Sequence, residues 1–119
     1  MPTVMDLVNS SAYGLLVREG FKLGTYTFDA GGAEATLAAT YPPVIRCDPG
    51  GGAIDLLLPA EADSEGLVFV IFNTADAAEA ITVKEDSDTT TIISLAQGEV
   101  GLVHCDGTSW LGGMVGATT

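Results

Sequence analysis

The chain is poor in positive charge. Four residues, Arg18, Lys22, Arg46 and Lys84, stand against 16 acidic ones among 119 residues, for a net charge of −12. Those cations are scattered, so the basic footprint that binding to nucleic acid requires is missing, and attraction to anionic membranes is missing with it. Cysteine is scarce: Cys47 and Cys105 are too few for a disulfide scaffold, and each closes an apolar run just before an Asp. They read as small buried hydrophobes, with a Cys47–Cys105 pair as the alternative. No apolar run approaches the ~18 residues of a bilayer span. The opening Met1-Pro2-Thr3-Val4-Met5-Asp6 lacks the basic region of a secretory signal, so assembly in a cytoplasm is expected. What is plentiful is apolar character, 47% hydrophobic residues plus 15 glycines. A domain this small has little interior in which to place so much apolar surface, which points to self-association or a partner.

From about Pro42 onward, short runs alternate with turn signals, the pattern of an all-β chain. The runs are Val44–Cys47, Ala53–Leu58, Leu67–Asn73, Ala80–Lys84, Thr90–Leu95, Val100–Cys105 and Ser109–Met114. Between them lie Asp48-Pro49-Gly50-Gly51-Gly52, Glu85 to Asp88 and Asp106-Gly107, rich in residues that allow positive φ, fix φ or bond their own backbone. Asp106-Gly107 is the best hairpin signal. Ile81 to Lys84 alternates, as a strand with one wet face should. Leu67 to Phe72 does not alternate, and it predicts a central strand buried on both faces. Such a strand in a small domain implies a sandwich, a barrel or a subunit interface. Thr25 to Asp29 also alternates like a strand, while Ala30-Gly31-Gly32 and Ala38-Ala39-Thr40 mark joints. The expected fold is all-β, a small antiparallel β-sandwich or barrel spanning residues 21–119 with an extended N-terminal arm at residues 1–20. The arm's apolar residues, Val4, Met5, Leu7, Val8, Tyr13, Leu15, Leu16 and Val17, have no core of their own and need a neighbouring subunit or partner surface for burial.

Residues that could carry chemistry are few. His104, the single histidine, precedes Cys105 and Asp106. Adjacent strand residues point to opposite faces, so His104 and Cys105 cannot meet as base and nucleophile. A zinc site needs about four N or S ligands, more than this chain supplies. Glu85-Asp86-Ser87-Asp88 concentrates carboxylates without the spacing of a calcium loop, and reads as a solvated hairpin tip. The glycines after Asp48 lack the Lys-Ser or Lys-Thr of a phosphate loop. Trp110, the single tryptophan, reads as the anchor closing one end of a β core, with a sugar-stacking platform as the alternative. No catalytic, cofactor or metal residue is expected.

The ordered series Ile54-Asp55-Leu56-Leu57-Leu58-Pro59, Glu65-Gly66 before the run ending at Asn73, Ile81-Thr82-Val83, Leu95 to Gly98, and Asp106-Gly107-Thr108-Ser109-Trp110 resembles a β-module of tailed-bacteriophage virions. The module is that of head-decoration (cement) proteins and of related tail-fibre, tail-tip or baseplate domains, and it spans Val44 to Met114. The resemblance implies a structural role on the outer capsid surface, stabilising the mature head. It further implies a homo-oligomer, usually a trimer, whose partners are itself and the major capsid protein, with no enzymatic residues. A tail location is the first alternative. A carbohydrate-binding module resting on Trp110 and Tyr41 is the second.

Overall fold

Two β-sheets lie face to face, described by the computed structural model for Gly20 and residues 22–117. The strands are β1 (Thr25–Asp29), β2 (Ala35–Thr36), β3 (Val44–Asp48), β4 (Ile54–Leu57), β5 (Val68–Asn73), β6 (Ile81–Lys84), β7 (Thr91–Leu95), β8 (Glu99–Cys105) and β9 (Trp110–Ala117). A single 3-10 turn at Glu61–Asp63 is the only helical element among the described residues, so the all-β expectation holds. No helix there is long and apolar enough to cross a membrane.

The pairing differs from the expected antiparallel sandwich or barrel, because much of it is parallel. One sheet runs β1-β3-β5-β8-β9 and the other β2-β4-β6-β7. Up to β6 every pair is parallel: Thr25 lies beside Val44 and Val44 beside Val70 in one sheet, while Ala35 lies beside Leu56 and Ile54 beside Ile81 in the other. The chain thus winds as a coil, each turn giving one strand to each sheet before climbing to the next. Parallel neighbours need a long crossover, and here the opposite sheet is the crossover. Only from β6 onward does the chain reverse on itself, with β6–β7, β5–β8 and β8–β9 antiparallel.

The corners between sheets explain this path. Asp29 Oδ1 accepts the Gly31 N–H at 2.7 Å, Asp48 Oδ1 the Gly50 N–H at 3.0 Å, and Asn73 Oδ1 the Ala75 N–H at 3.0 Å. Each is an Asx turn, which redirects the chain without pairing the strands on its two sides. The corners also stack, with Ala30 N donating to Asp48 O (2.8 Å), Gly32 N to Pro49 O (2.6 Å) and Thr74 N to Cys47 O (2.9 Å). Gly50 has φ 84°, and a Cβ there would strike the Asp29 carboxylate of the turn beside it.

Side chains alternating inward from both sheets form one core: Ile45, Cys47, Phe69, Ile71, Val103 and Cys105 from the five-stranded sheet, and Ile54, Leu56, Ile81, Val83, Ile93 and Leu95 from the other. Strand β7 leans over β8 and β9. The approach is close, since a Cβ on Gly112 would sit 2.9 Å from Ile92 Cγ2 and from Val103 Cγ1. Trp110 closes the far end as expected. It is 4% exposed, stacks on Phe69 with ring centroids 6.0 Å apart, and donates its Nε1–H to Pro59 O at 2.9 Å. That partner is remote in sequence rather than local.

The run Leu67–Phe72 forms a central strand, with β5 third of five, but it is not buried on both faces of this chain. Phe69 and Ile71 point into the core, whereas Val68 is 37% exposed and Val70 and Phe72 are half-buried. The pleat sends alternate residues outward, and no second layer covers them among the described residues.

Candidate functional site

The outward face of the five-stranded sheet carries the most unusual surface. Register places Arg46, Phe72 and Val100 in one row, Val44, Val70 and Leu102 in a second, and Val68, His104 and Leu111 in a third. Leu102 is 41% and Leu111 61% exposed. A sheet face turned to water normally places polar residues at such positions. Here the three rows hold no carboxylate, although the chain has 16 acidic residues. The acids on this sheet stand at strand ends, where Asp29 and Asp48 cap the corner turns.

At one end of the face the strands open into a depression of about 630 Å³, lined by Arg46, Phe72, Thr74, Ala75 and Gln97 among others. The Arg46 guanidinium lies 5.8 Å from the Phe72 ring centroid, in cation–π range. Among the described residues it forms no ion pair. Asn73 and Gln97 shape the floor. Asn73 Nδ2 donates to Glu79 O (2.8 Å) and Leu95 O (3.0 Å), and Gln97 Nε2 donates to Ala75 O (3.1 Å).

The acids gather elsewhere. Lys84 Nζ binds Asp55 Oδ2 at 2.9 Å and Asp88 Oδ1 at 3.2 Å, and both bonds hold its pKa above the usual lysine value. Glu34 joins the same cluster. Slight desolvation, then the Asp88 carboxylate and the hydrogen bond shared with it, raise the Glu34 pKa. A second group, Asp48, Asp76 and Glu79, brings three carboxylates together, and Glu79 Oε1 is buried there without a hydrogen-bond partner. The tip Glu85–Asp88 is the solvated turn expected: Glu85 Oε1 accepts from Ser87 Oγ (2.6 Å) and Thr89 Oγ1 (3.0 Å), which lowers its pKa.

His104 is exposed on the outward face, while Cys105 is buried on the inward one. The Asp106 carboxylate accepts the N–H groups of Thr108 (2.8 Å) and Ser109 (2.7 Å), which lowers its pKa. These three neighbours therefore do not converge on a reacting atom. Cys47 and Cys105 are free and buried, and burial, helped by Asp48 and Asp29, pushes the Cys47 thiol up to about 12. A neutral buried thiol is a hydrophobe, not a nucleophile. Trp110 is enclosed and presents no face to a sugar, while Tyr41 packs on Tyr26 with centroids 4.6 Å apart. The expected interface residues Val4, Met5, Leu7, Val8, Tyr13, Leu15, Leu16 and Val17 lie outside the described residues.

The outward apolar rows were legible in part, through the unbroken run Leu67–Phe72. Leu102 and Leu111 carry no such signal, since Leu102 stands between Gly101 and Val103 and Leu111 between Trp110 and a Gly-Gly pair. Register alone joins them to Val68 and Val70. The corner turns carried a signal too: Asp29-Ala30-Gly31-Gly32 and Asp48-Pro49-Gly50-Gly51 repeat one pattern. No family model matches the chain, and no curated protein or solved structure is significantly similar to it.

Proposed function

We propose that this chain is a structural protein of a tailed-phage virion, a decoration protein that binds the outer head surface and stabilises the mature capsid. The observation that carries the reading is the pairing of an acidic chain with one exposed apolar sheet face that carries no carboxylate. Such a surface suits packing against protein and has no means of holding a nucleic-acid backbone. The ordered motif series from Ile54 to Trp110 supports the same reading. So do the buried thiols and the separation of His104 from Cys105, which favour an assembly role over catalysis. On a symmetric lattice many weak identical contacts give a large combined affinity, so a small module suffices. Its partners in this reading are its own copies, as a homotrimer, and the major capsid protein.

A tail-fibre, tail-tip or baseplate role is the second reading, favoured by the parallel coil. Strands β1 and β2 end their sheets on the same side, and stacked parallel turns are the architecture of fibrous solenoids. Copy number in purified particles separates the two. Hundreds of copies per particle are expected for a head protein, about six or about twelve for a tail component. Absence from washed particles overturns both.

A further inference from the structure

We propose that the outward face of the five-stranded sheet is the surface through which copies of this chain pack on one another, the β5, β8 and β9 faces of the copies gathered about their common symmetry axis. This deepens the reading of a self-associating structural module and names the surface that such a module uses. The face is apolar where a water-facing sheet is normally polar: Val68, Leu102 and Leu111 are exposed and Val70 and Phe72 half-buried.

Charge selects the occupant. At −12, two copies meeting through most other surfaces would oppose carboxylate to carboxylate. The rows of this face carry none, and their ionisable groups are Arg46 and His104. A strongly charged partner would find no matching array, whereas an equally carboxylate-free apolar face fits it. The three strands, spaced by about 4.8 Å, with β8 running seven residues at about 3.3 Å each, give a footprint of roughly 330 Å² before side-chain relief is added. A stable interface takes about 800 Å² from each partner, so the association through this face alone depends on concentration. The remaining charge of each copy repels the other at long range, so association through this face strengthens as salt screens it.

The test is sedimentation equilibrium of the full chain at tens of micromolar, at low and moderate salt, with far-UV circular dichroism on each variant. The wild type is expected above 12.2 kDa and more associated at higher salt. Leu102→Glu with Leu111→Glu is expected to weaken association at least about 100-fold and to leave the β spectrum intact. Thr91→Glu with Ser94→Glu adds the same charge to exposed positions on the other sheet, and is expected to remain associated. Should the glutamate pair unfold the domain, Leu102→Thr with Leu111→Thr keeps strand preference and is expected to weaken association in the same direction. A wild type sedimenting only as a monomer overturns the proposal, because the face is then unoccupied or covered by the chain's own N-terminal residues. An oligomer unaffected by either Leu102/Leu111 pair also overturns it. Particle copy number reads the virion role separately: an oligomer that depends on Leu102 and Leu111 yet is missing from particles sinks that role and leaves the surface standing.

Discussion

The β1–β6 coil and the β7–β9 hairpin stack share one core but are assembled by different rules. In the coil each strand pairs with the strand two places on in the chain, and the turns that follow β1, β3 and β5 are Asx corners that stack on each other. In the hairpin stack β8 pairs with its sequence neighbour β9, through a turn closed by the Asp106 carboxylate. The coil depends on contacts distant in sequence, which close late and at an entropic cost, while the β8–β9 hairpin forms locally. Side-chain hydrogen bonds tie the regions together, Gln97 to Ala75 among them. Trp110 of β9 bonds Pro59 in the β4–β5 connection, and Asn73 of β5 bonds Leu95 of β7.

The strongest way to break that partnership is Trp110→Ala. Removing a buried indole costs about 3–5 kcal/mol, a large share of the 5–15 kcal/mol typical of a domain. Urea unfolding followed by circular dichroism is expected to show one transition shifted far to lower urea. A biphasic curve would mean that the coil survives alone. Asn73→Leu comes next. It leaves Glu79 O, Leu95 O and Ala75 N without their side-chain partner, at about 2–3 kcal/mol, and is expected to lower the urea midpoint without changing the slope.

Both predictions rest on contacts that the chain's local patterns do not announce. Strand positions were readable almost throughout, because inward apolar residues alternate with turn residues at every strand except the two-residue β2. Strand order was not. An Asp followed within two residues by Gly turns the chain equally well into a hairpin or around a coil corner, and the difference lies in which strand arrives alongside. Asp106-Gly107 does close a hairpin, whereas Asp48 to Gly50 does not. The outward apolar face was foreshadowed by Leu67–Phe72 alone, since Leu102 and Leu111 join it only after β8 and β9 are in register.

Smaller changes probe each region separately. Gly50→Ala forces a side chain into a φ of 84° and against the neighbouring Asp29 turn, costing about 1–2 kcal/mol. Amide exchange is expected to quicken at Ala30 and Gly32, with β8 and β9 unchanged. The smallest effect is that of Asp106, whose carboxyl pKa is lowered by the N–H groups of Ser109 and Thr108. A depressed folded-state pKa contributes stability that is present above the ordinary carboxyl value of 3.8 and lost as pH falls through the folded value. Asp106→Asn is expected to lower the melting temperature slightly near pH 7 and to leave it unchanged at the acid end, where the wild-type carboxyl is already protonated, so that part of the acid sensitivity disappears. Thermal melts across the acid range read both.

Cys47 and Cys105 turn the two regions into separately readable clocks. One sits in coil strand β3, the other in hairpin strand β8, and both thiols are sealed from solvent. A maleimide reaches either only when its strand opens, so the alkylation rate of each sulfur measures how often its own region breathes. Equal rates would describe a domain that opens in one piece. Faster capture at Cys105 would describe a hairpin stack that lifts away while the coil stays wound.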